Sequence, residues 1–255
     1  MAFELMIGGV GNAFSVDHYG THFLLRKDDF ILAIDCPDLY RRALRDNGFE
    51  NSHGGILEAG DIDMMLITHL HGDHVNGLEM MATYRRFFLR QSPLKLYGSP
   101  EVIEELWPQR LAVSMSRGWD GESYRRLDAG EFFEFHELDW ETSTTVGPFD
   151  IEIRRTHHHL PTSALRITDG DATLAYSCDT IFDTELLAWL DAESDLLLHE
   201  ASIAGIVHTS IPTLKQLDES IREKMLLVHY PDAISQVDTG DLELARQGQV
   251  VSVRR

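Results

Sequence analysis

ITHLHGDHVNG, residues 67–77, places His69, His71, Asp73 and His74 in one short turn directly behind the apolar run MMLIT. An unbroken apolar run of that length reads as a buried strand. The turn therefore leaves a strand end, where loops on a rigid scaffold can converge on a site. Imidazole and carboxylate suit Zn²⁺, with Mn²⁺ and Fe²⁺ as acceptable alternatives. His69 and His71, two apart, can face one ion, whereas Asp73 and His74 are displaced toward a second. Two ions about 3.5–4 Å apart would form a clamp for hydrolysis. A cluster of surface histidines is the competing reading, and the position behind a buried strand argues against it. A second cluster, THHHLP at 156–161, supplies further imidazoles.

Working outward, FELMIGGVG reads as a strand entering a glycine turn, and THFLLRK and FILAIDC as the strands that follow. YRRALRDNGF is a short helix closing at Asn47-Gly48, LEMMATYRRFFL a second helix, and SPLKLYG a strand. Ser99-Pro100 is an N-cap followed by a first-turn proline, opening EVIEELW. FDIEIRRT, SALRITD, ATLAYSCD, SDLLLHE and KMLLVHY are strands, and TELLAWL is a helix capped by Asp183 or Thr184. IPTLKQLDESIRE and TGDLELARQ are expected to be helical, QVVSVRR closes the chain as a strand, and 107–125 resists assignment. Strands dominate each half, with helices between them and the histidine- and aspartate-bearing turns at strand ends. Two packed sheets flanked by helices, forming one domain over 1–255 with a site at their shared edge, are expected.

Composition narrows the function. The 255 residues carry 42 acids against 22 lysines and arginines, a net charge of −20. That surface repels polyphosphate chains, and no basic block marks a footprint for a long nucleic acid. No apolar run approaches the roughly 20 residues of a membrane span, and the N-terminus lacks the marks of a signal peptide. Cys36 and Cys178 give no disulfide framework, which suits a reducing cytoplasm.

His69-x-His71-x-Asp73-His74 resembles the signature of the metallo-β-lactamase fold superfamily. FELMIGGVGNAF resembles its opening strand and turn. ILAIDCP resembles its next motif, with Pro37 departing from the usual glycine. AYSCDT resembles the strand that ends in a bridging aspartate. LLLHEAS, VHTS and LLVHY resemble the last motifs of the tRNase Z-like phosphodiesterase branch. The resemblance covers essentially the whole chain and implies an αββα sandwich, two mixed β-sheets flanked by helices.

It also implies a ligand set. One metal would take His69, His71 and a histidine of 157–159, the other Asp73, His74 and His229, with Asp179 bridging. His158 is expected as the middle ligand from its register to SALRI, with His159 as the alternative. Asp35 resembles an aspartate that supports the site from behind, although a turn-capping role would serve its position equally well. Cys178 is expected to pack rather than ligate. Glu200 of HEAS and His208 of HTS resemble a pair that protonates the leaving oxygen, only eight positions apart. Hydrolysis by a metal-bridging hydroxide would follow.

The chain lacks the basic arm by which tRNase Z grips tRNA. It is most similar to compact relatives of that branch, the anti-Pycsar-type phosphodiesterases, commonly homodimers, which destroy cyclic-nucleotide defence signals. A small phosphodiester or 3′,5′-cyclic mononucleotide is accordingly the expected substrate. Processing of tRNA 3′ ends and a non-catalytic metal-binding module of the same fold are the alternatives. Trp107, Trp119, Tyr124 and Trp140 are candidates for base stacking, for core packing or for a dimer contact.

Overall fold

Alternation along Phe3–Gly9 (β1) decides the layering: Leu5 and Ile7 enter one hydrophobic core and Met6 the other. The structure, a computed structural model, describes residues 3–254. The strands that follow are His22–Lys27 (β2), Phe30–Ile34 (β3), Met64–Ile67 (β4), Leu94–Gly98 (β5), Arg117–Trp119 (β6), Tyr124–Arg126 (β7) and Phe133–Glu137 (β8). In the second half they are Thr144–Val146 (β9), Phe149–Arg155 (β10), Ser163–Thr168 (β11), Thr173–Tyr176 (β12), Leu196–Glu200 (β13), Met225–Val228 (β14), Glu243–Leu244 (β15) and Val250–Val253 (β16).

Two mixed seven-stranded sheets result, in the orders β16-β1-β2-β3-β4-β5-β8 and β15-β14-β13-β12-β11-β10-β9, with β6-β7 as a separate hairpin. The main core lies between them, where Phe3, Phe23 and Leu25 meet Phe149, Ile151, Leu165 and Tyr176. Phe149 is fully buried and packs edge-on to Phe3 at 5.1 Å. Its truncation to alanine would cost about 3–5 kcal/mol. The opposite face of the first sheet packs Met65 and Ile67 against Tyr40 and Leu44 of the helix Tyr40–Asn47 and against Leu78 and Met81 of the helix Leu78–Thr83.

Several expectations change. TGDLELARQ is not helical: Asp238 caps the turn at Gly240 (φ 66°), and Glu243–Leu244 then pairs in parallel with β14. IPTLKQLDESIRE divides into Ile211–Leu214 and Glu219–Arg222. Arg222 turns back onto the Leu217 carbonyl at the break. Residues 107–125 hold a π-helical segment Leu106–Leu111, a helical turn and the β6-β7 hairpin. Asp183 is the cap of Thr184–Asp191, accepting from the backbone N–H of Glu185 and Leu186. QVVSVRR is a strand as expected, although its final Arg255 lies outside the described residues.

Candidate metal centre

Strand ends deliver the candidate residues to one edge of the two sheets. β4 runs into His69 and His71, and the short helix Gly72–Val75 carries Asp73 and His74 in its single turn. β10 runs into 157–159, β12 into Asp179, β13 into Glu200 and β14 into His229. These are the carboxyl ends of the strands, where an open sheet leaves a crevice. Asp35 (φ 62°), Cys178 (φ 50°) and His229 (φ 53°) all adopt the left-handed region. Such strain persists where surrounding structure fixes it, and it concentrates at functional sites.

The side chains converge in two groups. In one, His71 Nδ1 lies 3.0 Å from His69 Nε2 and 2.9 Å from His158 Nε2. Asp179 Oδ2 stands 3.8 Å from His69 Nε2 and 3.6 Å from His158 Nε2. In the other, Asp73 Oδ2 lies 3.5 Å from His74 Nε2 and 3.2 Å from His229 Nε2. Asp179 joins this group too, through Oδ1 to His74 (3.6 Å) and Oδ2 to His229 (3.5 Å). Four ligands held tetrahedrally at 2.0–2.1 Å from one ion stand about 3.3 Å apart. Both groups have close to that spacing. His74 Nε2 and Asp179 Oδ1 are buried without a hydrogen-bond partner, a state that polar atoms rarely tolerate unless something else satisfies them. The donor set therefore fits divalent-cation binding, with Asp179 common to both groups.

His158 enters the first group, whereas His157 turns out toward Asp183 (3.1 Å) and His159 is exposed. Cys178 Sγ is 3.7 Å from His69 Nδ1. Burial pushes its thiol pKa well up, and the side chain is fully buried beside His69.

Behind the ligands sits a carboxylate, Asp35, 2.7 Å from His74 Nδ1. It accepts from Thr68 N–H at 2.8 Å, and Thr68 Oγ1 donates to it and lies 3.1 Å from His69 Nδ1. Thr68 was not singled out from sequence; its only signal was a polar residue closing a buried strand. Ser177, Thr180 and Thr209 were missed likewise. Ser177 Oγ accepts from Glu200 N–H at 2.9 Å, and Glu200 Oε1 accepts from Thr180 N–H at 3.0 Å and Thr209 N–H at 3.1 Å. Glu200 Oε2 is left facing His208 Nδ1 at 3.0 Å.

Charge follows from this packing. Burial lowers His69 well below the ordinary imidazole range and takes His158 down to about 4. For His74 burial also opposes the charge, but Asp179 and Asp35 overcome it and raise the pKa well above normal. Burial works against ionised Asp73 as well, yet hydrogen bonds from His229 and His74 hold it below the carboxylate range. A cation bound through His74 Nε2 would have to displace any proton held there. Burial likewise opposes the charge on His208, and the Glu200 contact outweighs it, so its pKa rises. Glu200 itself is raised by burial.

A family model described as anti-Pycsar protein Apyc1 matches residues 3–251. A protein of that name from Paenibacillus sp. (strain J14) is 32% identical over 99% of this chain and 100% of its own. One from Bacillus phage vB_BsuM-Goe3 is 29% identical over 97% of each chain. Among solved structures, the metallo-β-lactamase fold protein YhfI from Bacillus subtilis superposes with a TM-score of 0.72 at 19% identity, covering 99% of this chain and 100% of that one. Human tRNase Z, short form, gives 0.71 at 20% identity over the same shares. The fold is the metallo-β-lactamase fold. No helix among the described residues is long and apolar enough to cross a membrane.

Proposed function

The chain belongs to the anti-Pycsar protein Apyc1 family, and on that premise we propose that it is a metal-dependent phosphodiesterase opening 3′,5′-cyclic mononucleotides. His69, His71, His158 and Asp179 would hold one divalent cation, and Asp73, His74, His229 and the same Asp179 a second, with zinc the expected ion. Bound there, such cations supply a water of lowered pKa and spread the charge that develops on the phosphoryl oxygens.

The observation that carries the reading is the His208–Glu200 pair at the rim of the cluster, 3.0 Å apart. Ring centroids place His208 5.2 Å from His229 and 5.6 Å from His158. A departing ribose oxygen needs a proton, and an imidazolium aimed by a carboxylate can give it. Glu200 is fixed by two backbone N–H groups on its other oxygen, so it orients Nδ1 and leaves Nε2 for the leaving group. A net charge of −20 with no basic arm favours a small anion over a long nucleic acid. The working form in this reading is a cytoplasmic homodimer.

The test is hydrolysis of four cyclic mononucleotides and a precursor tRNA by zinc- and manganese-loaded protein, beside His69→Ala and His208→Ala. Opening of the cyclic nucleotides, lost in both variants, is expected. Cleavage of the tRNA alone would replace this reading with tRNA 3′ processing.

A further inference from the structure

A cavity of about 510 Å³ opens beside the cluster and is bordered by Asp73 itself. Its volume falls within the range of small-molecule sites. One wall is the loop that follows β1, closed by the half-buried Tyr19, and the other is the start of the helix Tyr40–Asn47. None of Trp107, Trp119, Tyr124 and Trp140 lines it. Trp107 packs on Phe132, Trp119 faces Tyr124 across the hairpin, and Trp140 lies beneath Arg155.

Both walls are held stiff. Tyr19 is tied at two ends, its hydroxyl donating to Asp46 at 2.6 Å and its N–H to Gln247 at 3.1 Å. The loop before it is pinned by Asp232, three residues beyond His229, which accepts from Val16 N–H at 2.9 Å and from Ser15 Oγ. Leu39, at the opposite lip, is in the left-handed region (φ 58°) and 58% exposed. A bulky side chain gains nothing from that backbone conformation and little from that exposure. Arg42, one turn on, pairs with Asp46 through Nε at 3.4 Å and also lines the cavity.

We propose that this cleft holds the nucleoside part of the substrate, with Tyr19 and Leu39 as apolar walls against the base and Arg42 as a polar contact at its edge. The assignment rests on the phosphodiesterase reading above and moves base recognition from those four aromatic residues to the two segments flanking Asp73. Strain at Leu39 is then a cost of presenting an apolar wall where no core requires one.

The experiment compares cyclic AMP with base-free 1-deoxyribose 3′,5′-cyclic phosphate on metal-loaded wild type, Leu39→Gly and Arg42→Gln. Glycine relieves the left-handed strain, so Leu39→Gly should melt no lower than wild type, which separates loss of the wall from loss of the fold. The preference in kcat/KM for cyclic AMP over the base-free compound should fall about tenfold in Leu39→Gly, mainly through KM, and severalfold in Arg42→Gln. If wild type opens both compounds and both variants keep its preference, the cleft assignment is wrong and the activity stands. If wild type opens neither, the phosphodiesterase reading and this inference fall together.

Discussion

Replacing Asp35 by asparagine probes the support behind the ligands without touching one. The side chain is buried to 1% exposure, and its backbone sits at φ 62°, a conformation asparagine accepts readily. Asp35 now accepts from Thr68 N–H at 2.8 Å and meets His74 Nδ1 at 2.7 Å. That fixes the His74 proton on Nδ1 and leaves Nε2, which faces Asp73 and Asp179, available as a donor atom. An amide can satisfy only one side. With its NH₂ toward His74 it forces the proton onto Nε2; turned over, it sets NH₂ against the Thr68 N–H. Removing such a partner lowers metal affinity about 10–100-fold, or about 1.4–2.7 kcal/mol. The metal-free protein should separately lose about 1.5–3 kcal/mol with its charge-assisted hydrogen bond. Zinc competition against a chromophoric chelator measures the first quantity and urea unfolding of metal-free protein the second. A zinc affinity within twofold of wild type in folded Asp35→Asn would refute the tautomer argument.

Other outcomes follow from the same geometry. His208→Ala should slow cyclic-nucleotide opening about 10²–10⁴-fold and affect bis-p-nitrophenyl phosphate far less, because p-nitrophenolate leaves without a proton; equal losses on both would remove His208 from the acid role. His22 is fully buried with its pKa lowered to about 4 by burial. Its neutral form contributes stability above about pH 6.5 that is lost as pH falls toward 4, about 3 kcal/mol in all. His22→Gln should accordingly be less stable than wild type at pH 7 and converge on it near pH 4 in urea titrations. A Cβ at Gly77 would stand 2.3 Å from the Pro37 carbonyl oxygen and 3.0 Å from that of Cys36. Gly77→Ala should therefore cost about 1–3 kcal/mol and weaken zinc binding, as thermal melts and chelator competition would register. Chelation with EDTA should abolish activity, with recovery on adding zinc or manganese, and activity that survives complete metal removal would contradict the hydrolytic reading.

Much of this was legible because strands that end in polar turns are easily recognised. MMLIT followed by HLHGDH announces both a buried strand and its cargo, and AYSCD and LLVHY repeat the pattern in the second sheet. The register to SALRI favoured His158 among the three histidines, and His158 is the one that lies against His71 and Asp179. The scaffolding behind the site was less visible. Thr68, Thr180 and Thr209 act through hydroxyls and backbone N–H groups, and nothing in their local spacing distinguishes them from ordinary threonines near strand and helix ends. TGDLELARQ misled because its apolar residues suit a helical face, whereas pairing with the edge of β14 and the turn at Gly240 settle the segment as a strand. The cleft beside Asp73 was invisible for a related reason: its two walls come from Tyr19 and Leu39, and only the tertiary fold shows that they face one cavity.

The candidate ligands are divided between the sheets: His69, His71, Asp73 and His74 follow the first, and His158, Asp179 and His229 the second. Neither sheet by itself presents either group of donors complete. A cation using either group would bind tightly only after the two sheets dock, since the donors run from His69 to His229 along the chain. Bound there, an ion would rivet the sheets together at one edge, while hydrophobic contact joins them elsewhere. On that arrangement metal uptake would report the last act of folding, and metal release an early opening of the sandwich.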